Sequence, residues 1–347
     1  MRAVMFQGKK TMKLAEIEKP VTGKNGVVVK VKYCGICGSD IHRFIDGEDG
    51  LEGTVLGHET VGVVEEVGEN VTGHKVGDRV AIGPAGACQE QCYYCRTGRP
   101  NLCLHGFPRT LGIGPKTQGG FSEYILAKYP ARQLINIPDA VSMEDAVLFD
   151  IFATAYHGYR RSHMCSGSAA VVVGAGAIGL SMIQVLKAAG AGKIIALEME
   201  LGKQKIAKEC GADFACSPLN EDLIVDKVKE MTDGRGADVA FECAGNPAAV
   251  GMAVRLVRPG AQVILVGSGK QPLESINEDE MILKELDMKG SFCYDEEEIR
   301  LVLQMMERGL FHTKGMISRY ISLEQTPEAM EELAKTSAPI RYVIKPE

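Results

Sequence analysis

Four of the chain's eleven cysteines, Cys88, Cys92, Cys95 and Cys103, fall within sixteen residues. Thiolates at that density suit a closed tetrahedral metal knuckle better than disulfides, which need an oxidising compartment. A second group of soft donors lies upstream, in Cys34-Gly35-Ile36-Cys37-Gly38-Ser39-Asp40-Ile41-His42 and Gly57-His58-Glu59. Thiolate and imidazole are the donors zinc prefers, and a catalytic zinc takes three protein ligands and leaves a fourth position open. Cys37 and His58 supply two candidates, although residue type alone does not separate Cys37 from Cys34.

A different chemistry is carried by Val171-Val172-Val173-Gly174-Ala175-Gly176-Ala177-Ile178-Gly179, an apolar run leading straight into G-x-G-x-x-G. Gly174 makes the tight turn, Gly176 lets a pyrophosphate reach the backbone, and Gly179 lets helix and strand approach closely. The N–H groups of Ala177 and Ile178 then open a helix whose dipole favours the phosphates. Glu198 follows 19 positions after Gly179, where a second strand ends. A carboxylate there accepts hydrogen bonds from ribose hydroxyls and repels a 2′-phosphate, so NAD is expected over NADP.

These groups need elements to hold them. Residues 1 to about 150 carry short β-type runs (27–32, 61–67, 79–82) broken by glycine, which predicts a β-rich module. From 151 to 290 strands (169–173, 193–197, 239–242, 263–266) alternate with helical stretches (180–189, 221–231, 248–256), which predicts a parallel sheet covered on both faces. Two helices, 296–309 and 326–335, and a strand, 340–344, end the chain. At 45% hydrophobic and 24% charged residues the 347-residue chain can bury sizeable cores. A net charge of −6 without a basic cluster argues against nucleic acid as partner. The absence of a long apolar run or a secretory leader argues for a cytoplasmic protein with no membrane partner. Cys165, Cys210, Cys216, Cys243 and Cys293 are expected as small buried hydrophobes.

Gly57-His58-Glu59 with Gly62, Gly68 and Val71, followed by Val76-Gly77-Asp78-Arg79-Val80, has the spacing of the zinc-containing alcohol dehydrogenase signature. With Cys37-Gly38-Ser39-Asp40 ahead and the Gly174 turn behind, the chain resembles the medium-chain dehydrogenase/reductase family over essentially its whole length. The resemblance implies an α/β protein: a GroES-like β-rich catalytic domain (1–151 and 291–347) and a Rossmann doubly wound parallel-sheet domain for NAD (152–290), with the active site in the cleft between them. The segment Phe149-Asp150-Ile151-Phe152-Ala153-Thr154 then places Asp150 as third catalytic-zinc ligand with Cys37 and His58, where many relatives have Cys. Glu59 is a support for His58, an alternate ligand, or a carboxylate held in a salt bridge. Ser39 matches the position that accepts the alcohol proton, and His42 the position that passes it outward, a task suited to an imidazole. The resemblance also implies that Thr154 and the backbone of Gly267 and Ser268 face the nicotinamide, that Lys203 lies along the adenosine and that Arg341 reaches the pyrophosphate.

Cys92, Cys95 and Cys103 match three ligands of the family's structural-zinc lobe, but Gln89 stands at the first ligand's place, with Cys88 one residue earlier. A bulge of one residue is expected to bring Cys88 in. The reaction implied is zinc-dependent hydride transfer between NAD and a small-molecule alcohol or its carbonyl product, the alcohol a secondary one or, alternatively, a polyol, sugar alcohol or formaldehyde adduct. Gly83-Pro84-Ala85-Gly86 is expected to line the substrate pocket, and a homo-oligomer, dimer or tetramer, is expected. Zinc-free quinone reductases of the family lack the Cys37, His58 and Asp150 set, and a purely structural NAD-binding protein would have no use for Ser39 and His42.

Overall fold

The computed structural model describes residues 1–346 apart from 84, 85, 87, 89, 90, 116, 270, 274 and 275. Its chain forms two compact units, one of Met1–Asp150, Asp295–Arg308 and Met316–Glu347, the other of Ile151–Tyr294 and Gly309–Gly315.

The second unit is built on six strands in the order Phe214–Cys216, Lys193–Leu197, Ala169–Val173, Ala237–Glu242, Val257–Leu265, Asp287–Gly290. Every neighbouring pair is parallel. Ala169–Val173 is buried at all five positions, as an apolar β-branched run covered on both faces must be. Helices Ala177–Ala188, Leu201–Glu209, Glu221–Met231 and Pro247–Leu256 make the crossovers. The Asn220 and Asn246 side chains cap two of them, and Pro247 opens the last at a position where its missing N–H costs nothing. Strand order reverses between Ala169–Val173 and Ala237–Glu242, the switch point outside which such sheets bind ligands. Gly309–Gly315 joins this unit through the stack of Phe311 on Phe152, ring centroids 4.1 Å apart, and the His312 N–H donated to Gln184.

The first unit holds a seven-stranded sheet ordered Arg319–Ile321, Tyr342–Ile344, Val27–Gly35, Glu59–Val67, Arg79–Ile82, Leu134–Asn136, with Tyr124–Ala127 also on Val27–Gly35. Its inward residues, among them Phe6, Val29, Leu56, Phe121 and Ile344, form one core. Each such side chain contributes about 1.5–3 kcal/mol by leaving water. Antiparallel register sets Cys34 opposite Thr60 and Gly35 opposite Glu59, while Ile344 lies opposite Cys34 on the other side. One central strand therefore delivers the Cys34–Cys37 segment to the end of Glu59–Val67.

Several elements depart from the sequence reading. Helices Gly38–Asp46, Phe149–Arg161 and Leu201–Glu209 and strands Phe214–Cys216 and Asp287–Gly290 were not anticipated. Cys165 is exposed, and of the five scattered cysteines expected inside only Cys210 is buried. Cys165 falls in a turn between helix and strand, where no core is available to it. Among the described residues no helix is long and apolar enough to cross a membrane.

Candidate active site and metal centres

The glycine turn has the shape its sequence demands. Gly174 adopts φ +93°, and a Cβ there would stand 2.9 Å from the Cβ of Ala244. A Cβ on Gly179 would collide with the carbonyl oxygen of Gly174, whereas one on Gly176, which precedes helix Ala177–Ala188, would meet nothing within 4 Å. The turn is closed against protein on two sides and open at the helix N-terminus, which fits a pyrophosphate. Glu198 ends its strand with Oε2 accepting from Ala175 N–H at 2.8 Å and Oε1 from Glu200 N–H at 3.1 Å.

In the first unit, donor atoms of Cys37, His58 and Glu59 lie within 4.8 Å of one another. Gly57 makes this possible: φ is +96°, and a Cβ would come within 2.8 Å of Cys34 Sγ. Asp40, fully buried, accepts the Cys37 N–H at 3.0 Å, and its other oxygen lies 3.8 Å from His58 Nδ1, an atom with no hydrogen-bond partner. Burial, then the charges of Asp40 and Asp150, push the Cys37 thiol up, while a hydrogen bond from Ser39 draws it down. Burial also raises the Asp40 carboxyl. Three buried carboxylates, Asp40, Glu59 and Asp150, and a thiol therefore share this region with one buried guanidinium, Arg341. Such a set is short of positive charge, and a divalent cation with N, O and S ligands answers it.

The cysteine lobe is more sharply defined. Sulfurs of Cys88, Cys92, Cys95 and Cys103 all lie within 4.8 Å of one another, with Cys88 to Cys95 at 3.7 Å and Cys92 to Cys103 at 3.9 Å. Four thiolates at the usual zinc–sulfur distance of about 2.3 Å stand about 3.8 Å apart at tetrahedron corners. Backbone N–H groups of Cys88 and Cys92 donate to the sulfurs of Cys103 and Cys88, each at 3.2 Å. Donation from the Cys95 and Leu104 backbones draws the Cys92 thiol down, while burial pushes its neighbour Cys95 up. The shifted Cys88 is thus inside the cluster. Gln89, like Pro84 and Ala85 of the expected pocket lining, lies outside the described residues.

Comparison with known families matches residues 23–139 to the alcohol dehydrogenase GroES-like domain and residues 177–308 to zinc-binding dehydrogenase. A sorbitol dehydrogenase of Bacillus subtilis (strain 168) is 34% identical over 95% of this chain and 93% of its own. An (R,R)-butanediol dehydrogenase of the same strain is 33% identical over 100% of both chains. The crystal structure of 2R,3R-butanediol dehydrogenase from Bacillus subtilis superposes with a TM-score of 0.89 at 32% identity, covering 100% of this chain and 99% of that one. The chain belongs to the zinc-containing medium-chain dehydrogenase/reductase family. It is an alcohol-oxidising enzyme acting on CH–OH groups, with the GroES-like and Rossmann-type units of that family.

Within this dehydrogenase the remaining expected residues fall as follows. Ser39 and His42 are both exposed on helix Gly38–Asp46, three residues apart and so on one face. Asp150 is buried in the first turn of Phe149–Arg161, near enough to raise the Cys34 and Cys37 thiols, but its carboxylate is not among the three clustered donors. Thr154, half-buried, lies one turn further along that helix. Lys203 is buried on Leu201–Glu209, and Gly267 and Ser268 follow strand Val257–Leu265. Arg341, assigned by resemblance to the pyrophosphate, is buried in an ion pair with Glu59, for which Gly35 leaves the room. Asp40 escaped the sequence reading. Its signal was the spacing Cys37-x-x-Asp40, a capping box whose two backbone bonds both form.

Proposed function

We propose that this dehydrogenase oxidises a secondary alcohol of the polyol or vicinal-diol class with NAD as coenzyme. The observation that carries the coenzyme choice is Glu198, whose carboxylate is fixed on the Ala175 and Glu200 amides beside the glycine turn. A 2′-phosphate approaching that carboxylate would meet like charge, whereas a ribose hydroxyl would meet an acceptor. The substrate class is supported by the sorbitol and butanediol dehydrogenases to which the chain is similar.

Cys37 and His58 would hold a catalytic zinc, with Asp150 or Glu59 as third donor, and Cys88, Cys92, Cys95 and Cys103 a structural one. Zinc, when bound at the first site, supplies a Lewis acid that makes the alcohol proton easier to remove. Ser39 takes that proton, and His42, one turn on, carries it to water. Thr154 and the backbone at Gly267 and Ser268 orient the nicotinamide, Lys203 stays with the adenosine half, and Arg341 positions Glu59. The proposed catalytic domain is 1–151 and 291–347 and the coenzyme domain 152–290, bounds from which the compact units differ by including 151, 291–294 and 309–315 in the second unit. Eleven cysteines, none of them in a disulfide, favour a reducing cytoplasm. Strand Asp287–Gly290 ends its sheet with exposed Ile282, Leu283 and Phe292 nearby, which favours a homo-oligomer.

The test is kcat/KM for NAD⁺ and NADP⁺ with sorbitol, xylitol, 2,3-butanediol, 2-propanol and ethanol. NAD⁺ should win by at least about a hundredfold, given one lost charged hydrogen bond plus charge repulsion. Equal efficiency with NADP⁺, or faster oxidation of ethanol than of any secondary alcohol, removes the reading.

A further inference from the structure

Glu242 has no place in the chemistry above, yet its carboxylate is held by three backbone N–H groups. It ends strand Ala237–Glu242 in register with Val173, just before the glycine turn, and with Leu265 on the other side. Only 1% exposed, it accepts the N–H groups of Ala244 and Gly245 at Oε1, both at 2.7 Å. A bond from the Asn246 amide also reaches the carboxylate. Its backbone carbonyl takes the N–H groups of Val266 and Gly267 at 2.8 and 2.9 Å. The second carboxylate oxygen lies against Gly267, where a Cβ would come within 2.9 Å of it.

The two loops held in this way interlock. Gly245 adopts φ +69°, and a Cβ there would stand 2.7 Å from the Ser268 carbonyl oxygen. Ala244, tied to Glu242, is also the residue against which Gly174 turns. One buried carboxylate thus sets three loops at the carboxyl ends of adjacent parallel strands. No salt bridge to it forms among the described residues; burial raises this carboxyl above the usual range, and the N–H groups of Gly245, Ala244 and Asn246 work against that by favouring the charged form.

The position of these loops decides what they meet. A dinucleotide lying across the switch point has its pyrophosphate at the Gly174 turn. Its adenosine half goes toward Lys193–Leu197, where Glu198 stands, so its other half extends over Ala237–Glu242 and Val257–Leu265. A nicotinamide ring is cationic when oxidised and neutral when reduced. We infer that Glu242 is a positioning residue for the nicotinamide half and that its fixed negative charge makes the site prefer the oxidised coenzyme. A unit charge acting over roughly 10 Å at an effective dielectric near 20 gives a preference on the order of tenfold.

The inference rests on the coenzyme reading proposed above, and AMP, which lacks the nicotinamide half, separates the two. Dissociation constants of NAD⁺, NADH and AMP are measured for wild type, Glu242→Gln and Glu242→Asp, with NADH fluorescence as reporter, alongside melting of the coenzyme-free proteins. Glu242→Gln keeps an acceptor for the loop amides but removes the charge. It should weaken NAD⁺ relative to NADH about tenfold, leave AMP unchanged and melt close to wild type. Glu242→Asp keeps the charge and should hold the wild-type NAD⁺ to NADH ratio while loosening both. A ratio unchanged in Glu242→Gln, or equal weakening of AMP and both coenzymes, overturns the inference. A wild-type protein that binds neither AMP nor NADH overturns the coenzyme reading instead.

Discussion

Replacing Cys88 by serine tests whether the cysteine lobe holds metal despite its shifted first ligand. The lobe has little core of its own: Cys88, Cys92 and Cys95 are buried, and among the described residues Tyr94 and Cys103 are the hydrophobic ones packed against them. A structural zinc of this type contributes roughly 10–16 kcal/mol of apparent binding free energy. One of four equal bonds is then about 2.5–4 kcal/mol, or about a hundred- to thousandfold in affinity. Serine keeps the volume but offers a poor ligand, so the tetrahedron should open rather than rearrange. Wild-type enzyme saturated with zinc and then dialysed against a competing chelator should retain about two zincs per chain, one closed and one catalytic. Cys88→Ser should fall to about one, with faster proteolytic cleavage between residues 88 and 103 and an unchanged order of preference among alcohols. One zinc per chain in fully active wild type, or zinc release from Cys88→Ser no faster than from wild type, would refute the reasoning.

Three further outcomes are expected. His42→Ala should slow turnover most at low pH and recover in part with small external bases, whereas Ser39→Ala should be slower at every pH; an unaltered pH–rate profile in His42→Ala removes the relay. Asp150→Asn should lose catalytic zinc and activity together while the lobe zinc stays, and if Glu59→Gln loses the metal where Asp150→Asn keeps it, Glu59 is the third ligand. Tyr33 is held protonated up to about 12 by burial and by its bond to Glu144. Its folded pKa exceeds the unfolded value of about 10, so the contribution is complete below pH 10 and lost as pH rises through about 12. Melting temperature should therefore drop less steeply across that window in Tyr33→Phe; parallel slopes contradict it.

The coenzyme unit was the more legible half because its strands are buried on both faces. Ala169–Val173 and Lys193–Leu197 appear in the sequence as apolar β-branched runs with the bounds they have in the fold. Phe214–Cys216 is too short to show a period, and Asp287–Gly290, at the sheet edge, has none of its four residues buried. Helix Gly38–Asp46 was hidden by its start: a glycine preceded by a cysteine cap reads as a motif rather than as a helix. Spacing brought out the donors Cys37 and His58 but not their supports. Asp40 and Glu242 act through backbone amides a few residues away, a pattern that single carboxylates in a sequence do not advertise. Arg341 drew its expected role from resemblance, while its partner Glu59 lies on a strand distant in sequence.

Strand Tyr342–Ile344 lies directly against Val27–Gly35, the strand that leads into Cys37. During synthesis the seven-stranded sheet must wait for Tyr342–Ile344, whereas the parallel sheet has all six of its strands once Gly290 has emerged. The parallel sheet can therefore form while the seven-stranded one is still incomplete, and long-range pairing of this kind is slow. Cys34, Cys37 and His58 spend that interval as exposed soft donors on an unfinished scaffold, open to oxidation and to the wrong ion. The zinc site proposed at Cys37 and His58 is consequently completed late in the life of each molecule.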